Sequence, residues 1–239
     1  MLLCPWNKLP EKMRNDAVKP YYDILAKKKP QLLVKRLFDL IVATLMVIAF
    51  SPLLLVIAIL IKLDSKGSIF FRQVRVTQNC REFKIFKFRT MCENAESIGT
   101  QVTTHNDMRV TRIGRFLRKY RLDEIPQLFN IITGDMTFVG TRPEVIKYVN
   151  AYTPEMYATL LLPAGVTSQC SVHYKDEEAL LANSINADET YTKEILSQKM
   201  KYNFAALRSF SLISELMTSV ATVLAVSGYS FESLGAANV

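Results

Sequence analysis

A mostly helical α+β domain tied to a membrane is the fold class the sequence predicts, and three features predict it. Residues 40–61 read LIVATLMVIAFSPLLLVIAILI, without a charge and with Ser51 and Pro52 at the midpoint. About 20 apolar residues suffice to cross a bilayer's hydrocarbon core, so this run belongs in lipid. Behind it, two short segments, 68–73 (SIFFRQ) and 82–88 (EFKIFKF), have strand character. The second alternates apolar Phe83, Ile85, Phe86 and Phe88 with Lys84 and Lys87, imperfectly but recognisably. The remainder reads as helices set between turn residues. At 239 residues that is one membrane anchor plus one compact domain of ordinary size.

Residues 1–30 read as a basic leader of short amphipathic helices punctuated by Pro10, Pro20 and Pro30. Trp6, Tyr21 and Tyr22 among lysines suit the membrane interface; a loosely structured leader fits the same residues. The short apolar run at 1–6 lacks the layout of a cleavable signal. Residues 31–63 form the membrane helix, in arms 31–50 and 52–63, because proline removes a backbone donor and crowds the preceding turn. Lys27, Lys28, Lys29, Lys35 and Arg36 lie before the apolar run, and Lys62 and Lys66 after it, with Asp64 against the latter two. Basic flanks favour the cytoplasmic side, and here both flanks ask for it. A re-entrant helix that bends at Pro52 and returns to the same face satisfies both, each arm reaching about half a bilayer deep at ~1.5 Å per residue. A spanning helix with a proline kink is the alternative the residues leave open. Residues 64–239 then form a cytoplasmic domain with interfacial helices.

The chain carries a net charge of +8, which calls for an anionic partner such as a lipid head group, a nucleotide or nucleic acid. The excess is concentrated. Twelve basic residues against four acidic ones lie between Arg72 and Arg121, a surplus equal to that of the whole chain. Arg109, Arg112, Arg115 and Arg118 follow helical spacing, so one face is expected to be strongly cationic. Such a face repels itself, and a bound anion is one reason to keep it; plain solvation is the other.

Directly after this stretch comes LDEIPQL at 122–128. Pro126 suits the first turn of a helix, and the residue before a proline, Ile125, is expected to be extended. Asp123 and Glu124 would then sit just ahead of a helix N-terminus, an electropositive place that binds phosphates and keeps carboxylates ionised. Two adjacent acids beside a dozen cations are a candidate reaction centre, although acids at helix starts are also common decoration.

Further on, Gly134 and Asp135 make a turn, and 139–143 (VGTRP) is a loop that holds Arg142 between turn residues. Residues 144–161 read as helices split at Pro154, 163–167 as a loop entering a strand, and 188–204 as a long helix. Residues 212–226 form an apolar helix, with Leu212, Leu216, Val220, Val223 and Leu224 on one side; that side can pack in the core, the commoner outcome, or lie on the bilayer, toward which the chain's high hydrophobicity leans. Cys4, Cys80, Cys92 and Cys170 show no metal-like spacing and read as reduced thiols. His105 and His173 stand alone without ligand spacing. No Asp-x-Asp pair and no glycine-rich nucleotide loop occurs.

At this point the residues carry a family. KRLFDL and SPLLL within 35–55, FFRQVR at 70–75, FKIFKFRTM at 83–91 and RVTRIGRFLRKYRLDEIPQLFNIITGDMTFVGTRP at 109–143 closely resemble the bacterial sugar transferases, the monotopic phosphoglycosyl transferases that begin lipid-linked glycan assembly. The resemblance covers residues 31–226. It implies transfer of a sugar-phosphate from a nucleoside-diphosphate sugar, a UDP-sugar foremost, to undecaprenyl phosphate, with release of the nucleoside monophosphate, as the first step of exopolysaccharide, capsule or O-antigen synthesis. It also implies a covalent aspartyl intermediate, Mg²⁺ as cofactor, and a re-entrant helix broken at Ser51 and Pro52. By the same resemblance Asp123 is the nucleophile and Glu124 its partner, both of them metal ligands. Lys87, Arg89, Arg118 and Arg142 line the substrate phosphates, joined by Glu215 where related members carry an aspartate. The implied place is the cytoplasmic face of the bacterial inner membrane, with membrane lipid and no nucleic acid among the partners.

Departures from the family pattern are Thr77 for a turn glycine, Thr141 for the proline before Arg142, and PAGVTSQCSV at 163–172 followed by YKDEEALL at 174–181. They bear on sugar choice more than on reaction type. The competing class is a membrane-tethered basic module, without catalysis, that binds nucleic acid or acidic lipid; it leaves Asp123, Glu124 and Arg142 without a task.

Overall fold

The computed structural model describes residues 3–93, 107–173 and 187–226. Glu96, His105, the 174–181 stretch and the side chain of His173 lie outside what is described. Within it, helices dominate around two small two-stranded sheets, the α+β architecture expected. After two single 3₁₀ turns comes α1 (Lys19–Ala26), then α2 (Lys29–Asp64).

The leader is built into the folded domain. Leu9, Met13, Val18, Tyr21, Tyr22 and Leu25 pack into one apolar core with residues from 145 to 210. Tyr21 and Tyr22, expected at a membrane surface, are buried instead. The Tyr21 hydroxyl is satisfied inside the protein: it donates to Glu155 Oε1 at 2.5 Å and accepts from Arg208 Nη2 at 2.6 Å. A partnered phenol can be buried without loss, and its ring then adds to the core.

α2 is the one described helix long and apolar enough to cross a membrane. The arms expected on either side of Pro52 belong to a single helical element with the proline inside it. Local chemistry accounts for the continuity. Pro52 cannot donate to the carbonyl of Ile48 four residues back; the Ser51 hydroxyl donates there instead, at 2.8 Å. The apolar sides of Leu33, Leu37, Ile41, Leu45, Ile48, Leu55 and Leu63 remain exposed.

The two segments of strand character are β1 (Phe70–Thr77), which runs further than 68–73, and β2 (Arg81–Phe88); they form an antiparallel hairpin paired from Phe70–Phe88 to Thr77–Arg81. The turn takes its positive φ values at Asn79 and Cys80. Thr77 is thereby released from turn duty: its hydroxyl donates to Asp135 O at 2.6 Å and accepts from Ala164 N at 3.1 Å. It thus joins the hairpin to the second sheet, the parallel pair β3 (Met136–Val139) and β4 (Ala164–Thr167). Between the sheets lie α3 (Arg112–Lys119), a 3₁₀ turn (Leu122–Glu124) and α4 (Gln127–Thr133). α5 (Ile146–Val149), a 3₁₀ segment (Met156–Leu161) and α6 (Gln169–His173) follow. α7 (Ala187–Thr190) runs through a π-helical turn into α8 (Leu196–Arg208), and α9 (Leu212–Val226) closes the described chain.

The folded domain grips α2 at both ends. Leu128 and Ile131 of α4 pack with Ala43, Met46 and Val47, and Arg36 donates to the carbonyls of Ile131 and Ile132 at the C-terminus of α4. Beyond Pro52, Leu54, Ile57, Ala58 and Ile61 pack with Phe88 and Leu117. Asp64 Oδ2 accepts from Ile113 N at 3.0 Å in the first turn of α3. Of the two places open to the apolar side of α9, it does not take the core: Ile213, Leu216, Met217, Val220 and Val223 form a stripe that is exposed among the described residues, with Ile213 at 72%. Residues of α8 and the leader fill the neighbouring core instead.

Candidate active site

The backbone that carries the two acids is set by its neighbours. Thr111 caps α3, accepting from Gly114 N at 3.0 Å. Gly114 sits against strand-end residue Thr90, where any Cβ would come within 2.0 Å of Thr90 O. This closeness lets Arg118, one turn on, donate its Nε to Thr90 Oγ1 at 2.9 Å. α3 ends at Tyr120, and Arg121 takes a left-handed φ of 55°, uncommon for a residue other than glycine, asparagine or aspartate. That reversal turns the chain directly into Leu122–Glu124. Ile125 is helical, not extended (φ −54°, ψ −38°). The acids occupy a 3₁₀ turn that runs straight into α4, with Leu128 N bonded to Ile125 O and Phe129 N to Pro126 O. Continuity of that hydrogen bonding outweighs the local pre-proline preference. The acids still precede α4, as the sequence implied.

Three of the expected cationic positions gather here. Lys87 Nζ and Arg142 Nη2 each donate to Glu124 Oε1 at 2.8 Å. Lys87 arrives from β2, whose place is fixed by Asn130: its side chain accepts from Phe86 N at 2.8 Å and donates to Lys84 O at 3.1 Å. Burial would raise the Glu124 carboxyl, but Arg142 and Lys87 overcome it and hold the group well below the usual carboxylate range. Asp123 is buried, 7% exposed, and forms no ion pair among the described residues. Burial pushes its carboxyl above the ordinary value, with Lys87 and Arg118 pulling down and Glu124 pushing up. Adjacent acids are thus driven apart: one a clamped anion, the other a desolvated carboxylate, the condition that raises a carboxylate's reactivity.

Two other expected site residues are bonded to segments other than the Asp123 turn. Arg89 is a strut. Its guanidinium donates to Lys66 O at 2.7 Å and to Ser65 O and Oγ at 2.8 and 2.9 Å, holding the chain that leaves α2. Gly67, at φ +114°, lies so close that a Cβ would come within 2.1 Å of Arg89 Nη1. Those bonds commit one edge of the guanidinium to the backbone, while its Nε donates to nothing among the described residues. Glu215 pairs with Lys35 at the start of α2, 2.5 Å from Nζ, beside Asp39, which accepts a short hydrogen bond from Thr137. Burial raises the Glu215 carboxyl, against the pull of Lys35 and with the push of Asp39. This cluster docks α9 and β3 onto α2. The cationic face also begins later than its spacing suggested: Arg109 lies ahead of α3 and pairs with Asp107 at 2.6 Å, leaving Arg112, Arg115 and Lys119 exposed.

Sequence reasoning left Thr90, Asn130 and Gln127 unassigned. Gln127 is 1% exposed at the start of α4, and its Nε2 donates to nothing among the described residues. The signals were present, amide side chains in an otherwise apolar helix start, but amides are equally common in caps and turns.

A magnesium ion fits this donor set. Mg²⁺ takes one or two carboxylates from protein and completes its shell with substrate phosphates and water. Asp123 and Glu124 supply such a pair, and Asp123 brings a carboxylate with no competing ion pair. No group of three or more His, Cys, Asp or Glu side chains converges among the described residues, so the phosphates would have to complete the shell.

An α+β domain that carries one helix long and apolar enough to cross a membrane, with a desolvated carboxylate set in a cationic cradle, defines the class. The chain matches the family described as bacterial sugar transferase over residues 30–227, and it belongs to that family. It is 37% identical over 194 residues to a UDP-N-acetylgalactosamine-undecaprenyl-phosphate N-acetylgalactosaminephosphotransferase of Aeromonas hydrophila, covering 80% of this chain and 43% of that protein. UDP-glucose:undecaprenyl-phosphate glucose-1-phosphate transferases of Klebsiella pneumoniae and Caulobacter vibrioides are each 34% identical over 192 residues. Those matches cover 79% of this chain, and 39% and 68% of the respective proteins. The chain therefore spans less than half the length of the first two relatives.

Proposed function

We propose that this chain is a phosphoglycosyl transferase that moves a sugar-phosphate from a UDP-sugar to undecaprenyl phosphate through a covalent intermediate on Asp123. The observation that carries the reading is the split between the two acids: Glu124 fixed by Lys87 and Arg142, and Asp123 buried beside it with no ion pair among the described residues.

An Asp123 carboxylate oxygen attacks the phosphorus that bears the sugar. The bond from that phosphorus to the diphosphate's bridging oxygen breaks, and the nucleoside monophosphate leaves with the electron pair. An oxygen of undecaprenyl phosphate then attacks the same phosphorus and returns the carboxylate, giving the lipid diphosphate sugar. Two displacements replace one difficult transfer. Lys87, Arg118 and Arg142 supply positive charge at the place where a carboxylate must approach a polyanion. Asp123 and Glu124 would hold Mg²⁺, which when bound neutralises phosphate charge and orients the diphosphate.

The membrane arrangement serves the same chemistry. One domain holds α2 both before and after Pro52, which supports a re-entrant helix with both ends on the cytoplasmic face of the inner membrane. A straight spanning helix would carry its far end across the bilayer from that domain. The exposed stripe of α9 and the apolar sides of α2 then rest in lipid, and the Asp123 site lies where a soluble nucleotide meets a membrane-bound phosphate.

The test is turnover by the purified chain in detergent or nanodiscs, with undecaprenyl phosphate and UDP-sugars. Release of UMP and formation of a lipid diphosphate sugar are expected. Release of UDP would mean that the sugar alone moves. No turnover with any donor, together with salt-sensitive binding to DNA or RNA, would establish the non-catalytic basic module instead.

A further inference from the structure

A small pocket opens beside the loop that carries Arg142. Its wall includes Thr141 of that loop, Ser168 ahead of α6, Asn203 and Leu207 of α8, Phe210, and Glu215 of α9, whose carboxylate is paired with Lys35. It holds a group of a few heavy atoms, not a whole sugar ring. Leu207 and Phe210 make one side apolar, and polar groups make the other. Most of these polar groups are already committed. Thr159 donates to Met156 O at 2.7 Å, Thr218 donates to Ser214 O at 2.9 Å, and Ser168 bonds Ser171 through both N–H and hydroxyl. Asn203 differs. It is 7% exposed, its amide nitrogen meets only the Met200 sulfur at 3.8 Å, and its carbonyl oxygen accepts no hydrogen bond among the described residues.

A buried amide without a proper partner is costly, and such groups are normally satisfied by protein, water or ligand. We infer that this pocket receives the acetamido group of a 2-acetamido sugar on the donor, with Asn203 as the residue that reads it. An acetamido group has the matching halves, a methyl for Leu207 and Phe210 and an amide that both donates to and accepts from Asn203. Position agrees with chemistry. Thr141 in the wall and Arg142 on Glu124 are adjacent residues, about 3.8 Å apart between Cα atoms. The sugar, for its part, is joined to the attacked phosphorus through a single oxygen. The inference rests on the phosphoglycosyl transferase reading above and adds the substrate class.

The experiment measures UMP release by the full chain with undecaprenyl phosphate and four donors: UDP-N-acetylglucosamine, UDP-N-acetylgalactosamine, UDP-glucose and UDP-galactose. The wild type is expected to favour an acetamido donor over its plain counterpart by at least about tenfold in kcat/KM, as sites built to hydrogen-bond a substrate group do. Asn203→Leu, similar in volume but apolar, should reduce that preference to within about threefold. Should Asn203→Leu lower the melting temperature by more than a few degrees, Asn203→Asp replaces it, since it keeps the shape and loses the amide N–H. Three outcomes overturn the inference: a wild type that prefers plain hexoses, equal losses with all four donors, or a change confined to the KM for undecaprenyl phosphate. The last would hand the pocket to the acceptor. UMP release without acetamido preference defeats this inference and leaves the Asp123 reading standing. No UMP from any donor defeats both.

Discussion

Lys87 on the second strand of the hairpin and Glu124 on the 3₁₀ turn are joined by a 2.8 Å charge-assisted hydrogen bond. It ties the hairpin to the reactive turn, and Arg142 shares the same carboxylate oxygen. Removing the shared acceptor leaves two cations facing each other. Glu124→Ala is therefore expected to cost about 1–3 kcal/mol of stability as well as turnover, whereas Glu124→Gln should recover most of the stability and little of the turnover. Thermal unfolding beside UMP release separates the two effects.

Asp123→Asn should remove turnover, by at least about 10³-fold, without lowering the melting temperature. The sign follows from burial. The folded state disfavours the ionised Asp123 carboxylate, so a neutral isostere relieves a cost that the native residue bears for its chemistry. A clear loss of melting temperature together with retained turnover would refute the nucleophile assignment.

Arg89 and Gly67 give a prediction that distinguishes a strut from a phosphate ligand. Arg89→Met strips three hydrogen bonds from the Ser65 and Lys66 chain and should destabilise by roughly 3 kcal/mol. Turnover per folded molecule and the KM for the donor should hold. Gly67→Ala should also destabilise, by more than about 1 kcal/mol, since its φ is unsuited to a side chain and its Cβ would strike Arg89. A raised donor KM in Arg89→Met at unchanged stability would return Arg89 to the phosphate site.

The re-entrant helix predicts labelling from one side. With Cys4, Cys80, Cys92 and Cys170 replaced, single cysteines at Gln31 and Lys66, both exposed, should react with an impermeant thiol reagent from the same face of sealed vesicles. Reaction from opposite faces would mean that the helix spans.

Tyr21 supplies a pH dependence. Burial, then Glu155, pushes its phenol up to about 12, with Arg208 pulling the other way. The unfolded phenol loses its proton near 10. Between about pH 10 and 12 the folded chain thus holds a proton that the unfolded chain has released, and stability falls as pH rises. Below pH 10 the contribution is complete. Denaturant melts of Tyr21→Phe should show a shallower decline across that window than the wild type.

Much of the molecule is legible in the residue order because its signals are local. Residues 40–61 announce a long apolar helix by composition alone, the strand at 82–88 follows from its apolar alternation, and Asp123, Glu124, Lys87 and Arg142 sit in contiguous motifs. The charge surplus places the cationic cradle, and the chain's family follows from those same stretches.

What only the tertiary structure decided are the relations between distant residues. Arg89 and Arg118 look alike in sequence, yet one closes on backbone carbonyls 24 residues away while the other reaches the strand end beside the acids. Tyr21 and Tyr22 have the composition of interface anchors, but Glu155 and Arg208 satisfy the Tyr21 hydroxyl at the rim, so the core claims its ring. The apolar side of α9 reads as core or as a membrane face until the leader and α8 are seen in that core. Side-chain type fixes what a residue can bond to. Which partner it meets depends on packing that brings remote segments within about 3 Å, and that information is not carried by any one stretch of chain.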